Sequence, residues 1–219
     1  MPPRLVGYVE RSDIKEIQDY LENTRLSKNH YRMKVNAEGG ESQCFGIVNK
    51  RCLPPNLSRQ CWLHPRLHYL LNEFGNKYVK KYISYTGIQV NVNYICAKHK
   101  DINNEGDSYI VAFGSFIGGE LNVSNFDYDI SLRGLLFNGS KEEHYTKPWA
   151  FGDRYSIVFH TLLPQKRWNY LCPKIEDFIA EQDDTGTWYI RRISDGLRID
   201  KGSPLPHPLL GLKKKDLKN

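Results

Sequence analysis

The feature that most constrains this chain is a change of period at Gly87. From there Ile88, Val90, Val92 and Tyr94 alternate with Gln89, Asn91, Asn93 and Ile95, and side chains two apart on a strand share a face. Further strands are expected at residues 108–113, 120–123, 135–137 and 155–161. Turn-forming residues separate them at Asn103-Asn104-Glu105-Gly106, Gly118-Gly119 and Asn138-Gly139-Ser140. Many short strands with regular turns predict a closed or double-sheet jelly roll.

Upstream the period is helical. Ser12 is placed to cap a helix with Ile14, Ile17 and Leu21 on one stripe. Residues 36–42, with Gly39-Gly40, read as a loop, and Cys44 begins a short apolar strand that Pro54-Pro55 brings to an end. Pro65 opens a second helix with Leu67, Leu70, Leu71 and Phe74 inward, closed by Gly75 and flanked by Trp62. Past Pro164 a short helix at 175–181 and a strand at Trp188-Tyr189-Ile190 are expected to close the outside. With no internal repeat and no linker, this predicts an α+β fold in a single catalytic domain, 1–219. Its parts are a helical buttress (1–86), a jelly-roll core (87–163) and a C-terminal extension (164–219).

A chain of 219 residues is long enough to bury a core. Its apolar runs are too short to cross a bilayer, and no apolar stretch follows the first residues as a secretory signal would. Five cysteines without a C-x-x-C pair argue against a disulfide framework or a zinc knuckle. An intracellular, reducing compartment (nucleus or cytoplasm) and a monomer are therefore expected. The net charge of +6 is partly carried by the tail Lys213-Lys214-Lys215 and Lys218, and partly by Lys28, Arg32, Lys34, Lys50, Arg51 and other scattered cations. Basic groups among aromatics suit nucleic acid, although a balance this mild is also common in proteins that touch none.

The chemistry sits within the alternating region. His99, Asp101 and His144 supply two imidazoles and one carboxylate, a set that can hold Fe(II) on one face and leave other positions open. Both histidines have a plainer reading: His99 as a structural histidine, and His144 as a surface residue beside Glu142 and Glu143. Arg154 can clamp the carboxylate of an organic acid through a two-pronged contact, or simply pair with Asp153. Parity favours the clamp. Arg154, Ser156, Val158 and His160 share one face, while Tyr155, Ile157 and Phe159 form an apolar face for the helices. A hairpin turning near Gly152 would set His144 opposite His160 and so bring His160 to the metal.

The ordered set His99-Lys100-Asp101-Ile102-Asn103-Asn104, Gly118-Gly119-Glu120-Leu121, His144, and Gly152-Asp153-Arg154-Tyr155-Ser156 resembles the Fe(II)/2-oxoglutarate dioxygenases. It is most similar to the TET/JBP group, which oxidises the methyl group of 5-methylcytosine or thymine. The resemblance spans residues 89–161. It implies a double-stranded β-helix and a requirement for Fe(II), 2-oxoglutarate and O2. His99, Asp101 and His144 would bind iron, Arg154 and Ser156 would hold the far carboxylate of 2-oxoglutarate, and Asn104 would contact a flipped base. The family often has a base-contacting histidine just beyond the arginine, and His160 is the counterpart here. The implied partner is nucleic acid, DNA before RNA, with no membrane. A 2-oxoglutarate-dependent hydroxylase of a protein side chain or small metabolite is the alternative, and a jelly-roll binding module with an idle metal site is a third reading. Asn104 also has a structural alternative, as a shaper of its turn.

Overall fold

In a computed structural model the chain is described over residues 2–26, 36–49, 55–163 and 173–199, the side chains of 36–38 excepted. The expectations for Lys28, Arg32, Lys34, Lys50, Arg51, Cys52, Pro54, Pro164, Cys172 and the lysine tail lie outside these residues. The N-terminal part runs β1 (Arg4–Tyr8), α1 (Arg11–Glu22), β2 (Asn36–Glu38), β3 (Glu41–Val48), β4 (Asn56–Leu57), α2 (Arg59–Leu63) and α3 (Pro65–Phe74). The centre follows with β5 (Gly87–Val92), β6 (Ile95–Cys96), β7 (Asn104–Gly114), β8 (Ile117–Gly118), β9 (Leu121–Val123), β10 (Phe126–Tyr128), β11 (Arg133–Phe137), β12 (His144–Thr146), β13 (Trp149–Ala150) and β14 (Arg154–Leu162). Beyond it come a 3-10 turn (Ile175–Asp177), β15 (Phe178–Gln182), β16 (Trp188–Arg192) and β17 (Arg198–Ile199).

The large sheet has seven strands in the order β1-β11-β7-β14-β5-β3-β4, and its paired strands run antiparallel. β14 lies at its centre between β5 and β7, and both of its faces are covered, one by helices and the other by the small sheet. One face carries Tyr155, Ile157 and Phe159 into a core shared with Ile14, Ile17 and Leu21 of α1 and Leu67, Leu71 and Phe74 of α3. The helices therefore buttress this face, as the two periodicities predict. The other face looks towards the small sheet β10-β9-β12. Ile110, Ala112, Leu135 and Phe137 of the large sheet meet Leu121 and Val123 of the small one in a second apolar cluster. Two antiparallel sheets face to face, buttressed on one side by helices, agree with a jelly-roll kind of fold.

Several local expectations need correction. α1 begins at Arg11 after Glu10, which makes no side-chain cap, so Ser12 lies inside the helix. Residues 36–42 are mostly strand, with the turn confined to Gly39-Gly40, whose φ values of 59° and 79° suit glycine. Gly75 does not end the third helix; its backbone is helical and a π-helical turn (Gly75–Val79) continues from it. The helix expected at 175–181 is one 3-10 turn followed by strand β15, which pairs with β16. Asn104 belongs to β7, opposite Leu162, so the turn before it falls on Ile102 and Asn103. The segment expected to be a helical buttress with one short strand from Cys44 lends three strands, β1, β3 and β4, to the large sheet. No disulfide joins Cys44, Cys61 and Cys96 among the described residues, and no described helix is long and apolar enough to cross a membrane.

Candidate metal and anion site

His99 and His144 are brought together by an antiparallel backbone bridge, the amide of each donating to the carbonyl of the other at 3.1 and 3.0 Å. His144 belongs to β12, which pairs with β9, while His99 and Asp101 lie on the irregular segment between β6 and β7. The backbone N–H of Asp101 donates to the Gly139 carbonyl at 2.8 Å, which ties it to the turn leading to His144. His99 and Asp101 thus converge through these ties and not through a common strand.

The two imidazoles are held in one orientation. Nδ1–H of His99 donates to the Ala97 carbonyl at 2.7 Å, and Nδ1–H of His144 to the Glu142 carbonyl at 3.0 Å. That leaves both Nε2 atoms facing Asp101, at 3.4 Å from Oδ1 and 3.6 Å from Oδ2. Donating Nδ1–H to a carbonyl is the usual support of a metal-binding histidine. The donor atoms of His99, Asp101 and His144 all lie within 4.8 Å of one another, whereas bonds of about 2.1 Å at right angles would set them about 3 Å apart. These residues fit a divalent metal with a small contraction. Burial works against the Asp101 charge, but the imidazoles of His144 and His99 beside it outweigh that and hold the carboxyl well below the usual carboxylate range. Burial likewise opposes a charge on His99, yet contacts with Asp101 and Cys96 push it up to about 10.

Arg154 opens β14 with 1% of its surface exposed. Its Nε donates to the Gly119 carbonyl at 3.2 Å, and the rings of Phe116 and Trp149 lie 5.4 and 5.6 Å from the guanidinium carbon. Its Nη2 is buried without a hydrogen-bond partner, and no ion pair to Arg154 exists among the described residues. Asp153, exposed one residue back, accepts instead from Asn93 Nδ2 at 2.6 Å. Burial pushes the guanidinium down to about 10, with Glu120 opposing, so it stays charged at neutral pH. A buried cation with a spare donor is costly unless an anion meets it. Ser156, two residues on along the same face, is also buried.

A cavity of about 120 Å³ brings His99, Asp101 and His144 together with Asn104, Ser156 and His160, while Arg154 lies outside its lining. Asn104 reaches it from the first residue of β7. His160 reaches it for a different reason from the expected hairpin: His144 pairs with β9 and His160 with Gly87 of β5, so they face one another from two sheets. The β14–β7 register slips at His160, and a Cβ on Gly87 would sit 2.7 Å from its Nε2, so glycine there makes room for the ring. Gln89, Asn91, Tyr94 and Cys96 also line the cavity and were missed. The signal for the first two was present, since polar residues alternate with apolar ones along β5. Tyr94 was misplaced because Asn93, with φ 49°, ends the strand and breaks its parity.

Comparison with solved structures gives this architecture its relatives. The chain resembles NgTET1, solved in complex with 5mC DNA, over 73% of its own length and 72% of that chain, at TM-score 0.51 and 13% identity. It resembles an oxidoreductase of the 2OG-Fe(II) oxygenase family from Burkholderia pseudomallei over 72% and 84% of the two chains, at TM-score 0.52 and 14% identity. A prolyl hydroxylase from Trichoplax adhaerens, in complex with a peptide fragment, aligns at TM-score 0.45 and 13% identity over 78% and 87%. No family model matches the sequence, and no curated protein matches it. At these identities the likeness is one of fold, and that fold is the one found in 2OG-Fe(II) oxygenases.

Proposed function

We propose that this protein is an Fe(II)- and 2-oxoglutarate-dependent dioxygenase built on a double-stranded β-helix, which oxidises the methyl group of a nucleic-acid base. The observation that carries the enzyme class is the pairing of two separate features in an oxygenase fold: a convergent His99/Asp101/His144 set and a buried guanidinium lacking an anion. When bound, Fe(II) with 2-oxoglutarate and dioxygen supplies the oxidant, one oxygen atom ending in succinate and the other in the hydroxylated product.

The residues of the chain then have distinct tasks. His99 and His144 present Nε2 because their Nδ1–H groups are committed to backbone carbonyls. Asp101 stays ionised and supplies the anionic ligand. Arg154 and Ser156 hold the far carboxylate of 2-oxoglutarate, with Phe116 and Trp149 flanking the guanidinium. Ile110, Leu121, Phe137 and Val158 keep the cavity wall apolar and limit water around the reacting groups. Asn104 offers both a donor and an acceptor to the Watson–Crick edge of a base, and His160 lines the same space.

The base substrate is supported by the position of Asn104 and His160 in the cavity, by the net charge of +6, and by the fold likeness to NgTET1 solved with DNA. The test is incubation with Fe(II), 2-oxoglutarate and oligonucleotides carrying 5-methylcytosine or thymine, followed by mass spectrometry of the nucleosides. Oxidised methyl groups that depend on both Fe(II) and 2-oxoglutarate are expected. Succinate release without any oxidised nucleoside would move the substrate to a protein side chain or small metabolite. No 2-oxoglutarate turnover and no metal binding would overturn the enzyme class.

A further inference from the structure

Resting on the reading of Arg154 and Ser156 as a carboxylate clamp, the geometry points to a one-way hydrogen-bond chain, Gln89 to Ser42 to Asn91 to Ser156, that offers the Ser156 hydroxyl proton to an anion in the cavity. The sheet register builds it. Ser42 stands opposite Asn91 across β3 and β5, Asn91 opposite Ser156 across β5 and β14, and Ser156 opposite Ala112 across β14 and β7. Directly paired residues point to the same face, so these four side chains form one row across the sheet. Ser42, Gln89, Asn91 and Ser156 are all buried, at 2, 7, 9 and 3% exposure. Polar groups buried this deeply are costly unless hydrogen-bonded, so the pattern of bonds is expected to be specific.

The chain has a direction. Nε2 of Gln89 donates to Ser42 Oγ at 2.8 Å, Ser42 Oγ donates to Asn91 Oδ1 at 2.5 Å, and Asn91 Nδ2 donates to Ser156 Oγ at 3.1 Å. An amide nitrogen can only donate, so Ser42 accepts from Gln89 and passes its single proton to Asn91. That turns the Asn91 carbonyl towards Ser42 and its NH2 towards Ser156. Ser156 must then accept, and its own O–H goes to no side chain among the described residues. On the far side Ala112 has no polar side-chain atom to take it. A ligand group that only accepts hydrogen bonds, a carboxylate, completes the row. Gln89, Asn91 and Ser156 line the cavity and Ser42 does not, so Ser42 is a positioning residue that acts on a ligand through Asn91.

The test is calorimetric titration of the Mn(II)-loaded protein with 2-oxoglutarate under nitrogen, with thermal melts run alongside. The variants are Ser42→Ala, Asn91→Leu, Ser156→Ala and the double variant Ser42→Ala/Ser156→Ala. Loss of one hydroxyl contact in Ser156→Ala is expected to weaken binding about tenfold, and Ser42→Ala about threefold. In the Ser156→Ala background, Ser42→Ala should cost nothing further, because its effect has no hydroxyl left to act on. Asn91→Leu should weaken binding at least as much as Ser42→Ala and no more than Ser156→Ala, and if it fails to fold, the Ser42 pair alone decides the matter. Losses that multiply in the double variant, or an unchanged Kd in Ser42→Ala, overturn the chain while leaving the clamp intact. An unaltered protein that binds Mn(II) but not 2-oxoglutarate overturns the clamp, and the chain with it.

Discussion

A methyl group at Gly119 would sit 2.8 Å from Nε of Arg154, on a backbone whose φ of 70° already disfavours any side chain. The second glycine of the Gly118-Gly119-Glu120-Leu121 motif is thus explained by the cation it touches: its carbonyl holds Nε and its missing Cβ lets the guanidinium approach. Gly119→Ala should therefore weaken 2-oxoglutarate binding while Mn(II) affinity stays near normal, measured by titrating each in turn. Equal loss of both would mean that the substitution acts through the fold and not through Arg154. The arginine itself is more demanding. Arg154→Ala should raise the Kd for 2-oxoglutarate about 100-fold, and Arg154→Lys about tenfold, since a point charge loses the two-pronged contact. Unchanged affinity in Arg154→Ala would assign the anchor to another residue.

At the level of elements, β14 shows what a sequence reveals and what it conceals. The alternation of Arg154, Ser156, Val158 and His160 with Tyr155, Ile157 and Phe159 gives both faces of the strand correctly, because one packs on the apolar core and the other turns to the small sheet and cavity. His99, Asp101 and His144 were legible as candidate ligands, but the way they meet was not. It depends on a long-range bridge and on the Gly139 carbonyl, and neither leaves a local periodic trace. His68 of α3 was missed for a related reason: it is not part of the apolar Leu67, Leu71 and Phe74 stripe, yet it is fully buried, next to the Phe178 carbonyl and Asn72. Burial lowers its pKa to about 4, the Phe178 carbonyl opposing, against 6.5 for a free imidazole. A depressed histidine is neutral in the fold and takes up a proton more readily when unfolded. Its contribution is full above pH 6.5 and is lost as pH falls towards 4, on the order of 3 kcal/mol. Urea unfolding from pH 7 to 4.5 should show that loss, and His68→Gln should flatten it. A slope unchanged by His68→Gln would show that this histidine is not the group being protonated. His99 works in the opposite sense, since its raised pKa favours the metal-free fold below pH 6.5 and that favour fades as pH climbs towards 10.

On the scale of the whole molecule, the large sheet is shared between two jobs. One face is sealed by α1 and α3 into the main core, and the other, opposed by β9 and β12, carries the cavity. That division lets polar side chains such as Asn91 and Ser156 be buried in a rigid strand array without disturbing the helical core. If the substrate is nucleic acid, binding of a duplex should weaken steeply as salt rises, because lysine and arginine contacts release counterions. Fluorescence anisotropy across a salt series will show this, and salt-insensitive or absent binding at low ionic strength would speak for another substrate class. Asn104→Ala should then cut base oxidation while leaving substrate-free succinate release in place, as expected of a residue that reads the base and not the metal.

The most direct measurement of the central claim is visible absorption of the protein titrated anaerobically with Fe(II) and then with 2-oxoglutarate. A 2-oxoacid chelated to Fe(II) absorbs visible light by charge transfer, which neither component does alone. The unaltered protein should develop that absorption only when both are present, Arg154→Ala should need far more 2-oxoglutarate to reach it, and Asp101→Ala should never develop it. Full absorption in Asp101→Ala, or none in the unaltered protein, would contradict the assignment of His99, Asp101, His144 and Arg154 as one metal and oxoacid centre.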